Sequence, residues 1–341
     1  MDGPLQTSPG PAIEPEIVLD DARLGRITSG SVLARAECAV FDVRGPGSLD
    51  CLQGLLTSDL VKPGPGSVIY GALLTPKGMI VVDVWVLRRQ DALTLVTPLR
   101  GRQAALDTFA RSLPPRLAQV TDRTDQTEVV MLVGSGGPDV FHALGHQAPD
   151  TAGRLVEGGS DQHQLTVARP LQPTYFQALF IGDEESLRGT RESLGHAGVT
   201  EGDLVDIEAC RVLAGWPALG SEIDQKTLPQ EVRYDEIGGV SYTKGCYTGQ
   251  ETVARLHFRG HPNRELRGLI WAEPLPLLDR AILSHGREVG SIRTTLVLPT
   301  RRLGLAPVRR EVALGDTVIA GGLAATVVAL PFHRPIEDAV S

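Results

Sequence analysis

Three strand-like segments joined by short turns narrow the fold more than anything else in this sequence. They span 67–74 (SVIYGALL), 79–87 (MIVVDVWVL) and 92–97 (ALTLVT). All are rich in β-branched and apolar residues, and Thr75-Pro76-Lys77-Gly78 between the first two is a turn sequence. A sheet built mostly of such hairpins, with helices alongside, points to an α+β fold rather than a doubly wound parallel sheet.

The flanking segments supply the helices. Apolar residues recur at Leu49, Leu52, Leu55, Leu56 and Leu60, which predicts a helix over 48–60 capped by Ser48. Leu106, Phe109, Ala110 and Leu113 predict another over 101–113. A strand at 128–133, a helix near 138–146, a strand at 174–181 and helices at 184–197 and 202–214 follow. From about residue 266 the texture changes to short strands at 267–271, 288–293, 302–308, 316–319 and 323–329, the pattern of a small β-barrel. The expected layout is a flexible tail over 1–15, an α+β body over 16–260, a barrel over 263–332 and a tail from His333.

With 341 residues, 42% of them apolar, the chain is long enough for two or three domains. A net charge of −8, from 33 basic and 41 acidic residues, argues against a broad grip on nucleic-acid phosphates. Arg255, Arg259, Arg264 and Arg267 read as a solvated face. Cys38, Cys51, Cys210 and Cys246 form no C-x-x-C pair, which suits a reducing compartment. Neither a secretory signature nor an apolar run of membrane-spanning length is present, so a soluble, cytoplasmic protein without membrane partners is expected.

Several short motifs carry little. Gly134, Gly136 and Gly137 suggest a dinucleotide loop, but Asp139 stands where its third glycine belongs and Pro138 reads as a helix start. His142/His146 and His257/His261 have helical ligand spacing, yet neither pair forms H-E-x-x-H or reaches the three or four ligands of a metal site. Cys210, at helical spacing from Leu204, Ile207 and Leu213, reads as a small buried hydrophobe.

The informative stretch is 240–260, VSYTKGCYTGQETVARLHFRG. Lys244 stands two residues from Cys246, and an ammonium nearby favours the thiolate. Gly245 and Gly249 allow close backbone approach to a ligand, and Gln250 and Glu251 add polar handles. On spacing alone, a turn leading into an amphipathic helix or strand, with Cys246 packed inside, stands equally well.

Lys244-Gly-Cys-Tyr-Thr-Gly-Gln-Glu251 resembles the signature of the YgfZ-like folate-binding family, which is related to the glycine-cleavage T protein. Further matches are Cys51-Leu-Gln-Gly-Leu-Leu-Thr-Ser-Asp59, with Ser58 in place of the usual Asn, and Leu74-Thr-Pro-Lys-Gly78 followed by Asp83. Arg211-Val-Leu-Ala-Gly-Trp-Pro217 with Gly220 and Glu222, Leu228-Pro-Gln-Glu231, Gly290 and Pro331-Phe332 extend the resemblance over about 20–332. It implies three domains around a central cavity that holds tetrahydrofolate, the first two interleaved with a second lobe at roughly 49–122, and a C-terminal barrel. It also implies a role in iron–sulfur cluster assembly or repair. Assembly or client proteins would be the partners, and cluster-dependent enzymes such as tRNA-modifying ones would benefit.

On this chain the resemblance puts Cys246 at the centre, activated by Lys244, with Tyr70, Asp83 and Trp85 lining the folate cavity. Leu213, Glu222, Gly245, Tyr247, Gly249, Gln250 and Glu251 would shape its edge, and Arg255 and Arg259 would meet the glutamate tail or a partner. One departure matters. The aminomethyltransferase relatives carry a Glu that bonds the pterin where this chain has Leu213, and a leucine cannot accept an N–H. That sets the chain apart from a glycine-cleavage enzyme. The rival readings are a folate-dependent one-carbon or aminomethyl transferase, and a ligand-less protein-interaction module on the same scaffold.

Overall fold

The computed structural model describes residues 16–136, 139–145, 148–159, 164–171 and 174–332. The expected tails, Gly137, Pro138, His146 and the side chains of Asp139 and His142 lie outside the described residues.

The chain enters through strand β1 (Glu16–Val18) and helix α1 (Asp21–Ser29), then crosses β2 (Ser31–Ala36) and β3 (Cys38–Arg44). Helix α2 (Ser48–Gln53) precedes the meander β4 (Ser67–Leu74), β5 (Ile80–Arg88) and β6 (Leu93–Pro98), which α3 (Arg102–Ser112) and β7 (Gln119–Asp122) close. Next come β8 (Glu128–Gly134), α4 (Asp139–His142), β9 (Arg154–Gly159), β10 (Gln164–Arg169), β11 (Ala178–Gly182), α5 (Glu184–His196), β12 (Thr200–Glu201) and α6 (Leu204–Leu213). Helix α7 (Gln250–Arg259) leads to β13 (Arg264–Trp271), β14 (Ala281–Ser284), β15 (Arg287–Ser291), β16 (Thr294–Val297), β17 (Arg302–Arg309), β18 (Thr317–Ala320) and β19 (Leu323–Val328).

Among the described residues, eleven strands form one sheet in the order β12-β2-β8-β11-β10-β9-β4-β5-β6-β3-β7. Its two halves meet at a single pairing, Ser67 with Arg154. The half holding β3 to β7 is inserted in sequence between β2 and β8, which pair with each other through six registered residues. The second sheet closes on itself: β13, β19, β18, β14, β15 and β17 form a six-stranded barrel, with β16 and β1 added outside. Trp271 fills the barrel core and donates its indole N–H to Ala320 O at 3.1 Å. Mixed helices and sheets with a closed barrel make this an α+β protein, as the hairpin pattern predicts. No helix among the described residues is long and apolar enough to cross a membrane.

Period-two alternation sorts the meander between two cores. Val82, Val84 and Val86 face α2 and α3, packing with Leu52, Phe41 and Phe109. Tyr70, Ala72, Leu74, Trp85 and Leu87 face the opposite way, into the central core shared with α6 and the barrel. The register sets Tyr70 opposite Trp85 and Ala72 opposite Asp83, so Asp83 shares the Trp85 face.

Two expected elements differ. The helix predicted over 48–60 stops at Gln53, although Leu55, Leu56 and Leu60 are still buried. Carbonyls that would carry the helix onward are taken by tertiary partners, as described below. The strand predicted from residue 174 begins at Ala178, because Thr174 Oγ1 accepts from Phe176 N at 3.3 Å and the chain turns before pairing with β8.

A buried ion pair ties the body to the barrel. Arg211 of α6 donates to Glu222 at 3.0 Å and to Trp216 O at 2.7 Å, and it reaches Thr294 of β16 at 3.5 Å. Glu222 also accepts from Ala218 N at 3.0 Å and from the Thr294 hydroxyl. Both carboxylate oxygens are thereby engaged, so Glu222, expected at the folate pocket edge, works as an internal tie. Removing one partner leaves an uncompensated buried charge. Glu222→Ala should lower stability by about 3–5 kcal/mol, and an Arg211→Met/Glu222→Leu double variant should recover most of that loss in urea denaturation.

Candidate functional site

Three of the segments that carry the family resemblance meet at one place. Lys244 is 9% exposed, and its ammonium donates to Gln53 O at 2.6 Å, Leu56 O at 2.7 Å and Ser58 O at 2.8 Å. These are carbonyls at and beyond the end of α2, which is why the helix ends there although leucines continue its period. The rest of the 53–58 segment is bound on both sides. Thr57 N donates to Ala72 O at 3.1 Å, Thr57 Oγ1 donates to Gly239 O at 2.6 Å, and Ser241 N donates to Thr57 O at 2.9 Å. Ser58 Oγ donates to Tyr70 O, and Thr248 N donates to Gly54 O at 3.0 Å.

The β4–β5 turn joins the same knot through two glycines. Gly249 has φ +81° and starts α7; a Cβ there would lie 2.6 Å from Thr75 O. Gly78 has φ +87°, and its Cβ would lie 2.9 Å from Thr252 Cβ. Only glycine combines that backbone with so close an approach.

This loop divides between the interior and the solvent. Lys244 and Tyr247 point inward, with the ammonium 5.1 Å from the Tyr247 ring centre, whereas Gly245 and Cys246 are exposed. The expectation that Lys244 activates Cys246 therefore gives way to another role for the cation. Burial pulls the Lys244 ammonium down to about 8, with Asp59 opposing, and three carbonyl acceptors favour its charged form. Cys246 sits on the crest of a tied loop, open to solvent. Gln250 opens α7, and Glu251, Arg255 and Arg259 are exposed along it. Beside them His257 stacks on Tyr242 with ring centres 3.6 Å apart.

Tyr247 leads inward to the second part of the site, since it shares the central core with Tyr70, Trp85, Trp216 and Tyr234. Trp85 and Trp216 stack with centres 5.9 Å apart, and Tyr70 lies 4.8 Å from each. Phe176 packs edge-on to Trp85 at 5.0 Å, and the Tyr70 hydroxyl donates to that of Tyr234 at 3.2 Å. Among these rings sits Asp83, 7% exposed, with Oδ1 lacking any hydrogen-bond partner among the described residues. Burial pushes its carboxyl up to about 6, against the pull of its own backbone N–H, Arg211 and the Tyr70 hydroxyl. Such a group can accept an N–H or exchange a proton near neutrality.

A cleft of about 890 Å³, with Arg35, Arg102, Asp125 and Asp203 among its lining residues, reaches Cys38. Burial, then Asp83 and Glu37, push that thiol up to about 12. Leu213 ends α6, half-buried against the central core, and its carbonyl accepts from Phe332 N at 3.1 Å. Trp216, Tyr234 and Phe176 are site residues that the sequence reading missed. Each comes from a separate segment, and only the Gly215-Trp216-Pro217 element marked one of them.

Comparison with known proteins follows the same lines. The GCVT N-terminal domain family matches residues 30–154. A protein from Edwardsiella ictaluri called tRNA-modifying protein YgfZ is 31% identical over 306 residues, covering 88% of this chain and 86% of the relative. An aminomethyltransferase from Rubrobacter xylanophilus is 27% identical over 329 residues, covering 88% of this chain and 84% of the relative. Among solved structures, the glycine cleavage system aminomethyltransferase T from Bartonella henselae superposes with a TM-score of 0.78 at 19% identity. It covers 92% of this chain and 89% of its own. At that identity the likeness shows the fold.

Two outcomes follow from the geometry. Lys244→Met should lower stability by about 2–4 kcal/mol, since buried carbonyls lose their donor. The alkylation rate of Cys246 should stay within about twofold in the variant's folded state. An activating lysine would give the reverse pattern, slow alkylation at unchanged stability.

Asp83 supplies the pH dependence. Its folded carboxyl at about 6 lies above the ordinary 3.8, so between those values the folded protein holds a proton the unfolded chain has lost. Stability should fall as pH rises through that window by about 2–3 kcal/mol and level off above it. Asp83→Asn should remove that slope in urea unfolding at pH 4.5 and 7.5.

Proposed function

The chain belongs to the family of tRNA-modifying protein YgfZ, and from that premise we propose that it is a folate-binding accessory protein. In this reading it supports iron–sulfur cluster assembly or repair for client enzymes, tRNA-modifying ones among them. The observation that carries it is the orphaned Asp83 oxygen inside an aromatic enclosure. A buried acceptor without a partner costs about 1–3 kcal/mol, and a flat ligand with N–H donors removes that cost.

Tetrahydrofolate has both properties. Its pterin presents N–H groups to a carboxylate and flat faces to Trp85 and Trp216. The chemistry of the residues suits this cofactor, with Asp83 supplying the acceptor that Leu213 cannot. When bound, the folate supplies a nitrogen able to carry a one-carbon unit. The chain's own groups orient the ring, with Asp83 Oδ1 accepting an N–H of the pterin.

Cys246 takes a different part. An exposed thiol on a tied loop suits contact with a cluster or a client protein rather than with a ligand enclosed among the rings. Thiolate sulfur is also the usual protein ligand of iron–sulfur clusters.

Titration with tetrahydrofolate, followed by tryptophan fluorescence, tests the first half. Saturable quenching from Trp85 and Trp216 is expected at a Kd of about 1–10 μM, near −8 to −7 kcal/mol. Asp83→Ala should weaken it, and Cys246→Ser should leave it unchanged while losing complementation of a deletion strain. Absence of binding by the wild type would favour a ligand-less interaction module. Transfer of a labelled one-carbon unit by the pure protein would favour a transferase.

A further inference from the structure

A second cleft, of about 550 Å³, lies at the seam between the body and the barrel. It is lined by the 222–232 segment on one side and by residues around β13, β16 and β17 on the other. Five cations face it from four separate stretches of chain: Lys226, Arg264, Arg293, Arg309 and Arg310. On a chain with net charge −8, that gathering is not the background composition.

The carboxylates in the lining are already occupied. Glu222 is held by Arg211 and Thr294. Asp224 meets Arg293 at 3.4 Å and accepts from Lys226 N and Thr227 Oγ1, both at 2.9 Å. Glu231 accepts from Leu228 N at 3.0 Å, and Glu311 meets Arg309 at 3.6 Å.

The cations are not occupied to the same degree. Among the described residues, Lys226, Arg264 and Arg310 make no side-chain hydrogen bond and no close ion pair. Arg264 lies only near enough to Glu231 to favour its charged form. Arg293 adds a sharper sign: its Nε is buried and has no acceptor. A buried donor without an acceptor costs stability until something supplies one. Hydrogen bonds Asp224 N to Thr227 Oγ1 and Ile80 N to Thr227 O hold the facing loop in place before any ligand arrives.

We propose that this seam cleft is a binding site for a small, multiply charged anion, a phosphate-bearing or polycarboxylate molecule. Arg293 Nε and Arg264 donate to its oxygens, and Lys226 and Arg310 close over it. Guanidinium groups match the planar or tetrahedral oxygens of either class, with forked donors that an ammonium lacks. None of its lining residues belongs to the aromatic enclosure around Asp83, so it stands whether or not folate binds there.

The experiment is isothermal titration of the full-length protein with sodium pyrophosphate and, separately, with citrate, both at matched ionic strength. Saturable one-site binding of at least one anion is expected, and the tighter of the two identifies the phosphate or the carboxylate class. Lys226→Ala, Arg264→Ala and Arg310→Ala change exposed side chains, so they should keep the wild-type urea midpoint. Each should still weaken binding by about three- to tenfold. Heats no larger than a sodium chloride control for both anions would overturn the proposal. Unchanged affinity in all three alanine variants would do the same.

Discussion

The site depends on one buried cation. Lys244 places its ammonium among the carbonyls of Gln53, Leu56 and Ser58, and through them fixes where three separate segments meet. A buried ammonium is costly unless its donors are satisfied, and here three acceptors at 2.6–2.8 Å satisfy them. The same contacts end α2, press the 53–58 segment against β4 and turn Gly245 and Cys246 outward. Gly78 and Gly249 then let the β4–β5 turn and the start of α7 approach more closely than any Cβ allows.

That arrangement divides the chemistry between two faces. Outside stands a thiol accessible to macromolecules. Inside, the strand alternation that directs Tyr70 and Trp85 to the central core brings Asp83 with them, enclosed by rings and short of one hydrogen bond. Tyr247 links the two, since it belongs to the Cys246 loop and packs in the central core. The Arg211–Glu222 tie supports the inner face from the barrel side, and Arg211 also pulls on the Asp83 carboxyl.

Much of this was legible in the sequence, where local pattern decides the outcome. The meander could be read because its strands alternate between two apolar cores, and Asp83 shares a face with Trp85 simply because they are two residues apart. The 48–60 helix failed because a lysine almost two hundred residues away takes the carbonyls beyond Gln53. The role of Lys244 was misread for a related reason. Residues two apart in a loop have no fixed relative direction, and here one points inward and the other outward. The aromatic enclosure was only half visible, as Trp216, Tyr234 and Phe176 reach it from separate segments. Strands β2 and β3 also escaped, because Glu37 alone separates them and no turn residue marks the break.

The most direct test is the ionisation of Asp83 itself, followed by the ¹³Cγ chemical shift of selectively labelled protein with and without tetrahydrofolate. The account predicts a midpoint near 6 in the free protein. It should fall by about one unit or more on binding, because pterin N–H donors favour the charged carboxylate. A midpoint that does not move when folate binds would contradict the assignment of Asp83 as the acceptor at the centre of the site.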